Sequence, residues 1–384
     1  FKTEKTEDYI KYGFSISFSN DGKTLIISSA SGTNTSGKTS GFVDVWENSD
    51  GNNWTKTQTF EGTIDEGRFG VVSLSPNKKY LAIAAYNENT CIYIYERINN
   101  LYVLKKTFNK TDFFIEQTIN ELILGLDIDI SDNLHLVISD CIYKNTTGVV
   151  VLLRHKDDYN FDKTIINGEK PKSYLGYSCS VNQNGDIIAI SNSDYEIGIA
   201  NSDGEIKNNN ILIYEYDYPL NKYINTNKIF AEYAHPISNY YASSDHRSFG
   251  HQGVKLSNSG KRLVVQKSPY DVLVEERGFV VYEYDNLTNN WNIVSNEVYG
   301  NEYLSTNTWV VDKSVTISGD GNIVSLGLCT KDKDNVEDNG KVINYKLSNV
   351  ELFGVDKKGN PIIHYLLVNA MHAGFENIYL VIGE

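Results

Sequence analysis

Residues 13–29 read GFSISFSNDGKTLIISS, and this stretch decides the fold. Positions 14–18 alternate apolar residues with serines, which is the period of a strand. Positions 20–22, Asn-Asp-Gly, indicate a tight turn, because glycine readily adopts the positive φ that such turns need. The apolar run at positions 25–27 is typical of a strand that is buried on both faces. The stretch therefore predicts two antiparallel strands joined by a short turn.

The same pattern recurs along the whole chain, each time with a polar residue, here called the anchor, between first strand and turn. The residues one and three positions before the anchor are apolar in every copy. A repeat of this length made of strands, without helical periodicity, predicts a β-propeller. The anchors are Ser19, Ser75, Ser131, Asn182, Ser257, Ser318 and Asn369, at spacings of 56, 56, 51, 75, 61 and 51 residues.

Seven copies predict an all-β, seven-bladed β-propeller formed by the single domain 1–384. The first six blades are expected at approximately 13–61, 69–117, 124–169, 175–233, 249–300 and 311–360. The seventh would combine 363–384 with 1–8, because Phe1–Thr6 resembles the fourth strand of the first blade, Trp54–Thr59. N- and C-terminal strands would thus close the ring and leave no open edge. The last blade either has three strands or continues beyond Glu384.

The repeat resembles the FG-GAP family of β-propellers, the type found in integrin α-subunit heads. The matching pieces are Phe69-Gly70, Phe249-Gly250 and the third strand Gly41–Trp46. Many FG-GAP repeats bind Ca²⁺ through a D-x-D-x-D-G turn, which supplies the oxygen ligands this cation needs. None of the corresponding turns here supplies three carboxylates. The resemblance therefore implies the propeller, whereas no metal site and no cofactor are predicted.

The charge balance restricts the partners that the protein binds. The sequence has 49 acidic and 35 basic residues and a formal net charge of −14. Acidic chains are poorly suited to nucleic acids and anionic membranes, and no apolar run approaches the ~18 residues of a membrane helix. We expect a protein or glycan partner and leave membership of a larger assembly open. The Asn-, Lys-, Ile- and Tyr-rich composition suggests an AT-rich genome. On that basis we expect an extracellular or particle-surface protein, with a cytoplasmic location left open.

Catalytic motifs are missing from the sequence. It contains no G-x-S-x-G elbow, no phosphate-binding loop and no H-x-x-x-H pair of the kind found in zinc sites. No catalytic residue is therefore assigned, and a non-enzymatic binding or structural module is favoured. The alternative is a polysaccharide-acting enzyme whose carboxylates come from separate blades and face each other across the central channel at roughly 5–10 Å.

Binding is predicted on one face of the ring. The turns between first and second strands are short in every copy, whereas several loops between second and third strands are long and acidic. Long loops on a rigid scaffold commonly carry binding sites. The candidates on this elaborated face and at the mouth of the channel are Asp194, Glu196, Asp203, Glu205, His246, Arg247, His251, Glu275, Glu276, Asp332 and Asp334.

Five sequons mark candidate glycosylation sites, in predicted loops or near outer strands, where a glycan would be tolerated. Chance sequons are an equally open explanation in a chain this rich in asparagine. The five are Asn34, Asn53, Asn109, Asn145 and Asn286.

Overall fold

The computed structural model describes residues 12–49, 51, 53–114, 122–169, 171, 173–192, 210–230, 249–267, 277–299, 315–328 and 341–347. Contacts between residues divide the chain into two compact units, Phe1–Tyr345 and Lys346–Glu384. The strands of the described residues belong to the first unit, apart from the last residue of the final strand. No helix in these ranges is long and apolar enough to cross a membrane.

The strands form a β-propeller, in which each blade is an antiparallel sheet with its strands in chain order. The first strand of each sheet is the inner strand, and the fourth is the outer strand. Blades 1 to 3 comprise β1 (Ile16–Phe18), β2 (Thr24–Ser29), β3 (Phe42–Glu47) and β4 (Thr55–Glu61); β5 (Phe69–Leu74), β6 (Tyr80–Ala85), β7 (Thr90–Ile98) and β8 (Leu101–Asn109); and β9 (Asp127–Ile130), β10 (Leu136–Asp140), β11 (Val149–His155) and β12 (Phe161–Asn167).

Blades 4 and 5 are also four-stranded, whereas three strands of blade 6 are described. They comprise β13 (Cys179–Val181), β14 (Ile187–Asn192), β15 (Asn210–Asp217) and β16 (Lys222–Phe230); β17 (Phe249–Leu256), β18 (Arg262–Lys267), β19 (Arg277–Asp285) and β20 (Asn290–Tyr299); and β21 (Val315–Ile317), β22 (Ile323–Leu328) and β23 (Lys341–Lys346). Two short helical turns accompany these strands, a 3₁₀ turn at Lys110–Asp112 and α1 at Tyr143–Thr146.

The anchor residues close the turns between first and second strands. The Ser19 side-chain oxygen accepts a hydrogen bond from the Thr24 amide at 3.0 Å, and the Ser19 amide donates to the Thr24 carbonyl. In blade 4, Asn182 Oδ1 accepts hydrogen bonds from the amides of residues 185–187, each at 3.0 Å. A short polar side chain is needed at this position because it supplies the acceptor that the turn backbone lacks.

The apolar core lies between neighbouring blades. Ile26 and Val43 of blade 1 pack in one cluster with Phe69 and Leu81 of blade 2, and similar clusters join blades 2 to 3, 3 to 4 and 4 to 5. Every residue of β2, β6 and β10 is buried. The prediction that the second strands are buried on both faces is confirmed for these three, whereas in β22 Ile323 is 42 % exposed.

The inner-strand residue three before the anchor was predicted to be buried in every repeat. Val72, Ile128, Cys179, Val254 and Val315 are buried. Ile16 is 55 % exposed, and Phe14 and Phe18 beside it are also exposed. The prediction is therefore wrong for Ile16, because among the described residues no strand packs over this part of blade 1, and Leu366 lies outside the described residues.

Two glycines allow consecutive blades to approach closely. Gly41, at the start of β3, has a φ of +90°, and a Cβ atom there would collide with the Phe69 carbonyl of the next blade. A Cβ atom on Gly70 would lie 3.0 Å from the Ala30 backbone. The glycine of the Phe69-Gly70 pair therefore serves packing between blades.

The residues that follow the anchors form a ring of contacting turns, here called the turn ring. Successive blades are linked because one turn donates a hydrogen bond to the next. Asn20 N–H donates to Pro76 O at 2.8 Å, Asn77 N–H to Asp132 Oδ1 at 2.7 Å, Asp132 N–H to Gln183 O at 2.9 Å, Gln183 N–H to Asn258 O at 3.0 Å, and Asn258 N–H to Gly319 O at 2.9 Å.

The turn ring corrects the predicted number of blades. Asn258 Nδ2 donates to Asn20 Oδ1 at 3.0 Å, and a Cβ atom on Gly319 would collide with that same oxygen. Blade 6 therefore meets blade 1 at the turns, and no further turn fits between them. The prediction of seven blades, closed by terminal strands in the last blade, is wrong: the described strands form six blades. Residues 1–8 and 363–384, assigned to the seventh blade, lie outside the described residues.

Candidate functional site

Polar residues of the six inner strands share one level of the propeller. They stand two positions before the anchor, so the repeat register brings them to equivalent places. Two of the six carry a charge, and they have opposite signs. The residues are Ser17, Ser73, Asp129, Ser180, Lys255 and Thr316. We call Ser73, Asp129, Ser180 and Lys255, which contact one another, the central cluster.

Asp129 is the acceptor at the centre of this cluster. Its Oδ1 accepts a hydrogen bond from the Ser73 hydroxyl at 2.8 Å. Its Oδ2 accepts three more, from the Ser180 hydroxyl at 2.9 Å, the Val181 amide at 3.0 Å and Lys255 Nζ at 2.7 Å. One carboxylate of blade 3 thus binds donors from blades 2, 4 and 5. A buried charge that is fully hydrogen-bonded in this way holds its surroundings in one arrangement.

Lys255 balances the charge of Asp129. Its side chain is 37 % exposed, whereas that of Asp129 is 7 % exposed. Desolvation lowers the pKa of Lys255, but the charge and hydrogen bond of Asp129, helped by Asp127, more than offset this and leave that pKa above its ordinary value. Lys255 therefore stays charged at neutral pH, and the pair links blade 5 to blade 3 across blade 4.

Side-chain oxygens of one blade also cap the inner strand of the next. An inner strand has an edge without a strand partner, so its amides need other acceptors. The Ser15 hydroxyl accepts a hydrogen bond from the Val72 amide at 3.1 Å, and the Ser17 hydroxyl accepts one from the Leu74 amide at 2.9 Å. Later blades repeat this arrangement. Asp127 accepts a hydrogen bond from the Cys179 amide at 2.8 Å. Ser178 accepts one from the Val254 amide, and Ser180 accepts one from the Leu256 amide, both at 3.1 Å.

A second feature lies on the outside, between the outer strands β8 and β12. It is a cavity of about 300 Å³ that we call the outer groove. Phe108 and Phe113 are buried beneath it, with ring centroids 5.4 Å apart. Phe161, half-buried, stands at 5.5 Å from Phe108 with its ring nearly perpendicular, and Tyr159 lines the groove beside it. The groove therefore has an aromatic floor and wall.

Charged side chains border the outer groove. Lys106 Nζ lies 5.3 Å from the centroid of the Phe108 ring and has no ion pair among the described residues. Lys163 Nζ donates to the Asp112 carbonyl at 2.8 Å and so fastens the 3₁₀ turn to β12. Asp112 Oδ2 accepts the Asn109 amide at 2.7 Å. The border thus combines one unpaired ammonium with one exposed carboxylate.

The elaborated face is described in part, at residues 31–40 and 61–68, which we call the loop platform. Asn34 is buried and organises it, because its Nδ2 donates to the Gly62 carbonyl at 2.9 Å and its Oδ1 accepts two loop amides. The Thr35 hydroxyl donates to Glu61 Oε2 at 2.6 Å, and the Thr39 amide donates to Asp65 Oδ1 at 2.8 Å. The two loops are therefore fastened to each other.

The sequence-based candidates of the elaborated face fall mostly outside the described residues. His251 lies in β17, and the other ten belong to segments that the structure does not describe. Within the described ranges, no group of three or more His, Cys, Asp or Glu side chains could hold a metal ion. The predicted role of these acidic loops stays a prediction.

The five sequon asparagines occupy different surroundings. Asn53, Asn145 and Asn286 are exposed, and Asn109 is half-buried and accepts a hydrogen bond from the Thr90 hydroxyl at 2.8 Å. At Asn34, a glycan would have to replace the hydrogen bond to Gly62. Glycosylation of all five stays a prediction, and the exposed three are the most accessible to a modifying enzyme.

The sequence contained signals for the central cluster and the outer groove that its motifs did not reveal. In the column two positions before the anchor, Asp129 and Lys255 are the only charged residues of the six described copies. Opposite charges at one level of a closed ring indicate a pair, although the spacing of 126 residues conceals it. The outer groove joins residues of two blades, so no local pattern indicates it.

Comparisons with known proteins support the fold. No protein-family model matches the sequence, and no curated protein shows significant sequence similarity to it. The chain resembles the periplasmic gluconolactonase of Pseudomonas aeruginosa, with a TM-score of 0.54 and 10 % identity over 90 % of this chain and 91 % of that chain.

Two further solved structures share this likeness. A protein from Lactobacillus plantarum has a TM-score of 0.52 and 12 % identity, covering 89 % of this chain and 83 % of that chain. A candidate 6-phosphogluconolactonase from Bacteroides uniformis has a TM-score of 0.51 and 10 % identity, covering 87 % and 85 %. At such identities the likeness concerns the fold alone.

Proposed function

We propose that the protein is a binding module that presents its loop-built, acidic face to a protein or glycan partner. The observation that carries this proposal is the loop platform, in which two exposed loops are held by side-chain hydrogen bonds. A loop that is ordered before its partner arrives loses less conformational entropy on binding.

The chemistry of the loop platform suits a polar partner. Its exposed part offers the side chains of Thr35, Lys38, Asp65 and Glu66, together with the apolar Ile64, which is 53 % exposed. Lys38 Nζ donates to the Thr63 carbonyl at 2.9 Å, and the carboxylates of residues 61–68 outnumber this one ammonium, so the surface is acidic where the carboxylates are exposed. Hydrogen-bonding groups around one apolar residue are typical of a modest polar interface.

A second candidate function is an enzyme that acts on a carbohydrate. The fold likeness to a gluconolactonase suggests a sugar lactone as the substrate to test, and carboxylates do lie on the inner strands. Against this candidate stands the condition of Asp129, whose oxygens are bound by four donors from three other blades. Such a carboxylate is poorly placed to exchange a proton with a substrate.

Three further proposals accompany the binding function. The FG-GAP relationship is supported by the packing role of Gly41 and Gly70. An extracellular or particle-surface location is consistent with three exposed sequons. Membership of a larger assembly would follow if the elaborated face binds a protein.

The test compares binding by the wild type and by Thr35→Ala/Lys38→Ala on an array of immobilised glycans and candidate proteins. We expect binding by the wild type and its loss in the variant. Leu287→Ser is the control, because Leu287 is 94 % exposed in the β19–β20 turn, at the other end of a distant blade. Hydrolysis of gluconolactone that Asp129→Asn abolishes would contradict the proposal and support the enzyme.

A further inference from the structure

The outer groove contains a strained turn that its neighbour blade lacks. Asp158 and Tyr159, in the β11–β12 turn, have φ angles of +38° and +59°. In blade 2 the corresponding turn uses Asn99 and Asn100, at +49° and +65°. Asparagine tolerates this left-handed region, whereas a bulky aromatic residue there is an outlier. Strain of this kind is often found at binding sites, which makes the Tyr159 ring a candidate contact for a ligand.

The turn holds Tyr159 against the groove through a second contact. The Tyr159 hydroxyl, in blade 3, donates a hydrogen bond to Glu96 Oε2, in blade 2, at 2.7 Å. The ring therefore lies across the boundary between the two blades, near the half-buried Phe161. Aromatic walls of this sort stack on flat apolar surfaces, including the C–H face of a sugar ring.

The side chains that border the groove could bind a charged group and hydroxyl groups of a ligand. Lys106 is unpaired among the described residues, although acidic residues outnumber basic ones in this chain. Asp112 and Asn160 are exposed beside it, and no hydrogen bond among the described residues uses Asp112 Oδ1 or Asn160 Oδ1. An ammonium binds a carboxylate, and the two free oxygens accept hydrogen bonds from hydroxyl groups.

We propose that the outer groove binds a carboxylated sugar ring, such as a uronic acid residue of an acidic glycan. The ring would stack on Tyr159 and Phe161, its carboxylate would pair with Lys106, and its hydroxyls would donate to Asp112 and Asn160. A volume of about 300 Å³ stands at the lower end of the range for ligand pockets, ~300–1,000 Å³, which suits one ring better than a long segment. A glutamate side chain of an acidic peptide would use the lysine but offers no flat C–H face to stack on the aromatic wall.

The test measures the binding of methyl glucuronide to the full chain by ligand-observed NMR at low salt. Methyl glucoside, which has the same ring without the carboxylate, is the first comparison, and a capped tetraglutamate peptide is the second. We expect binding of the glucuronide, and about tenfold weaker binding after Lys106→Met, because a charge-assisted hydrogen bond is lost. The matched control is Lys228→Met, which removes the same charge from the exposed part of β16 in blade 4.

A second variant separates binding from stability. Tyr159→Asn removes the aromatic wall but places a residue that favours the left-handed turn, so relief of strain offsets the lost contact with Glu96. We expect glucuronide binding to disappear while the melting temperature stays within a few degrees of the wild type. Equal binding of glucoside and glucuronide, preference for the peptide, no binding of glucuronide, or binding unaffected by both variants would each overturn the proposal. If the wild type binds glucuronide but none of the glycans and proteins on the array, the proposal for the outer groove is supported and the proposed function of the loop platform is rejected.

Discussion

At the scale of single residues, the anchors show how one side-chain atom stabilises a turn. Ser75 is fully buried, its hydroxyl oxygen accepts the Tyr80 amide at 2.9 Å, and the hydroxyl donates to Asn77 Oδ1 at 2.8 Å. Removing the oxygen leaves a buried amide without its side-chain acceptor, which costs more than a hydrogen bond contributes on average.

We predict that Ser75→Ala lowers the free energy of unfolding by about 1–2 kcal/mol. The measurement is equilibrium unfolding in urea. Ser36→Ala is the control, because Ser36 is exposed in the loop platform and should change stability little. Equal stability of the two variants would contradict the role assigned to the anchor.

His135 makes stability depend on pH. It is 6 % exposed, and its Nδ1 accepts the His155 amide at 3.0 Å, so the folded protein requires the neutral ring. Desolvation, followed by the charges of Arg154 and His155, lowers the pKa of His135 from 6.5 to about 4. Because the unfolded chain takes up the proton first, the contribution is complete above pH 6.5 and is lost as the pH falls towards 4.

We predict that protonation linked to His135 lowers the free energy of unfolding by about 3 kcal/mol between pH 6.5 and 4. Unfolding free energies measured across this interval should fall less steeply in His135→Gln, which keeps an acceptor but does not titrate. His155, whose pKa is also lowered by desolvation, contributes in the same direction. An unchanged slope in His135→Gln would show that other groups cause the acid sensitivity.

At the scale of the strand, the inner edges depend on their neighbours. The amides of β5 are capped by Ser15 and Ser17 of blade 1, and those of β13 by Asp127 and Asp129 of blade 3. A strand edge with capped amides cannot add a further strand. The serines cap the amides of the next blade only, whereas the carboxylate of Asp129 also binds Lys255 two blades away.

We predict that Asp129→Asn lowers the free energy of unfolding by about 3 kcal/mol, because Lys255 loses its counter-charge within the propeller. The double variant Asp129→Asn/Lys255→Met should be less destabilised than the sum of the single variants. A double-mutant cycle in denaturant measures this coupling. Additive effects would mean that the ion pair contributes nothing beyond its separate side chains.

At the scale of the whole propeller, the turn ring joins blades 1 to 6 near the axis. In the turn of blade 1, Asp21 Oδ2 pairs with Lys78 Nζ at 2.6 Å, and Asp21 Oδ1 accepts a hydrogen bond from the Ser19 hydroxyl at 2.6 Å. The pKa of Asp21 is about 2, since the hydrogen bonds from Lys78, Ser19 and Lys23 outweigh desolvation. In blade 1 an ammonium group thus lies against the turn carboxylate, where a cation would otherwise bind.

We predict that neither Ca²⁺ nor a chelator shifts the melting temperature by more than about 1 °C, because a ligand that binds only the folded state must raise it. Differential scanning calorimetry with and without the ion measures this. Lys78→Met is the informative variant, since it frees the Asp21 carboxylate. A calcium-dependent rise of several degrees in the wild type would reject this account of the turns.

The sequence by itself determined the local architecture, because strand alternation, turn residues and anchors act over fewer than about ten residues. It correctly predicted the strands around Ser19, Ser75, Ser131, Asn182, Ser257 and Ser318, and the burial of the second strands of blades 1 to 3. The number of blades could not be derived from local sequence patterns. Counting the copy at Asn369 gave seven, whereas contact between Gly319, Asn258 and Asn20 decided six, because ring closure depends on the fit of the turns at the axis.

The candidate sites were likewise decided by tertiary structure. Asp129 and Lys255 are 126 residues apart and meet only because the ring places their strands at one level. Lys106 and Tyr159 form one groove only because two sheets pack with their outer strands side by side. A repeated sequence specifies the unit and its register, while the pairing of side chains between units follows from the closed ring, where distant residues become neighbours.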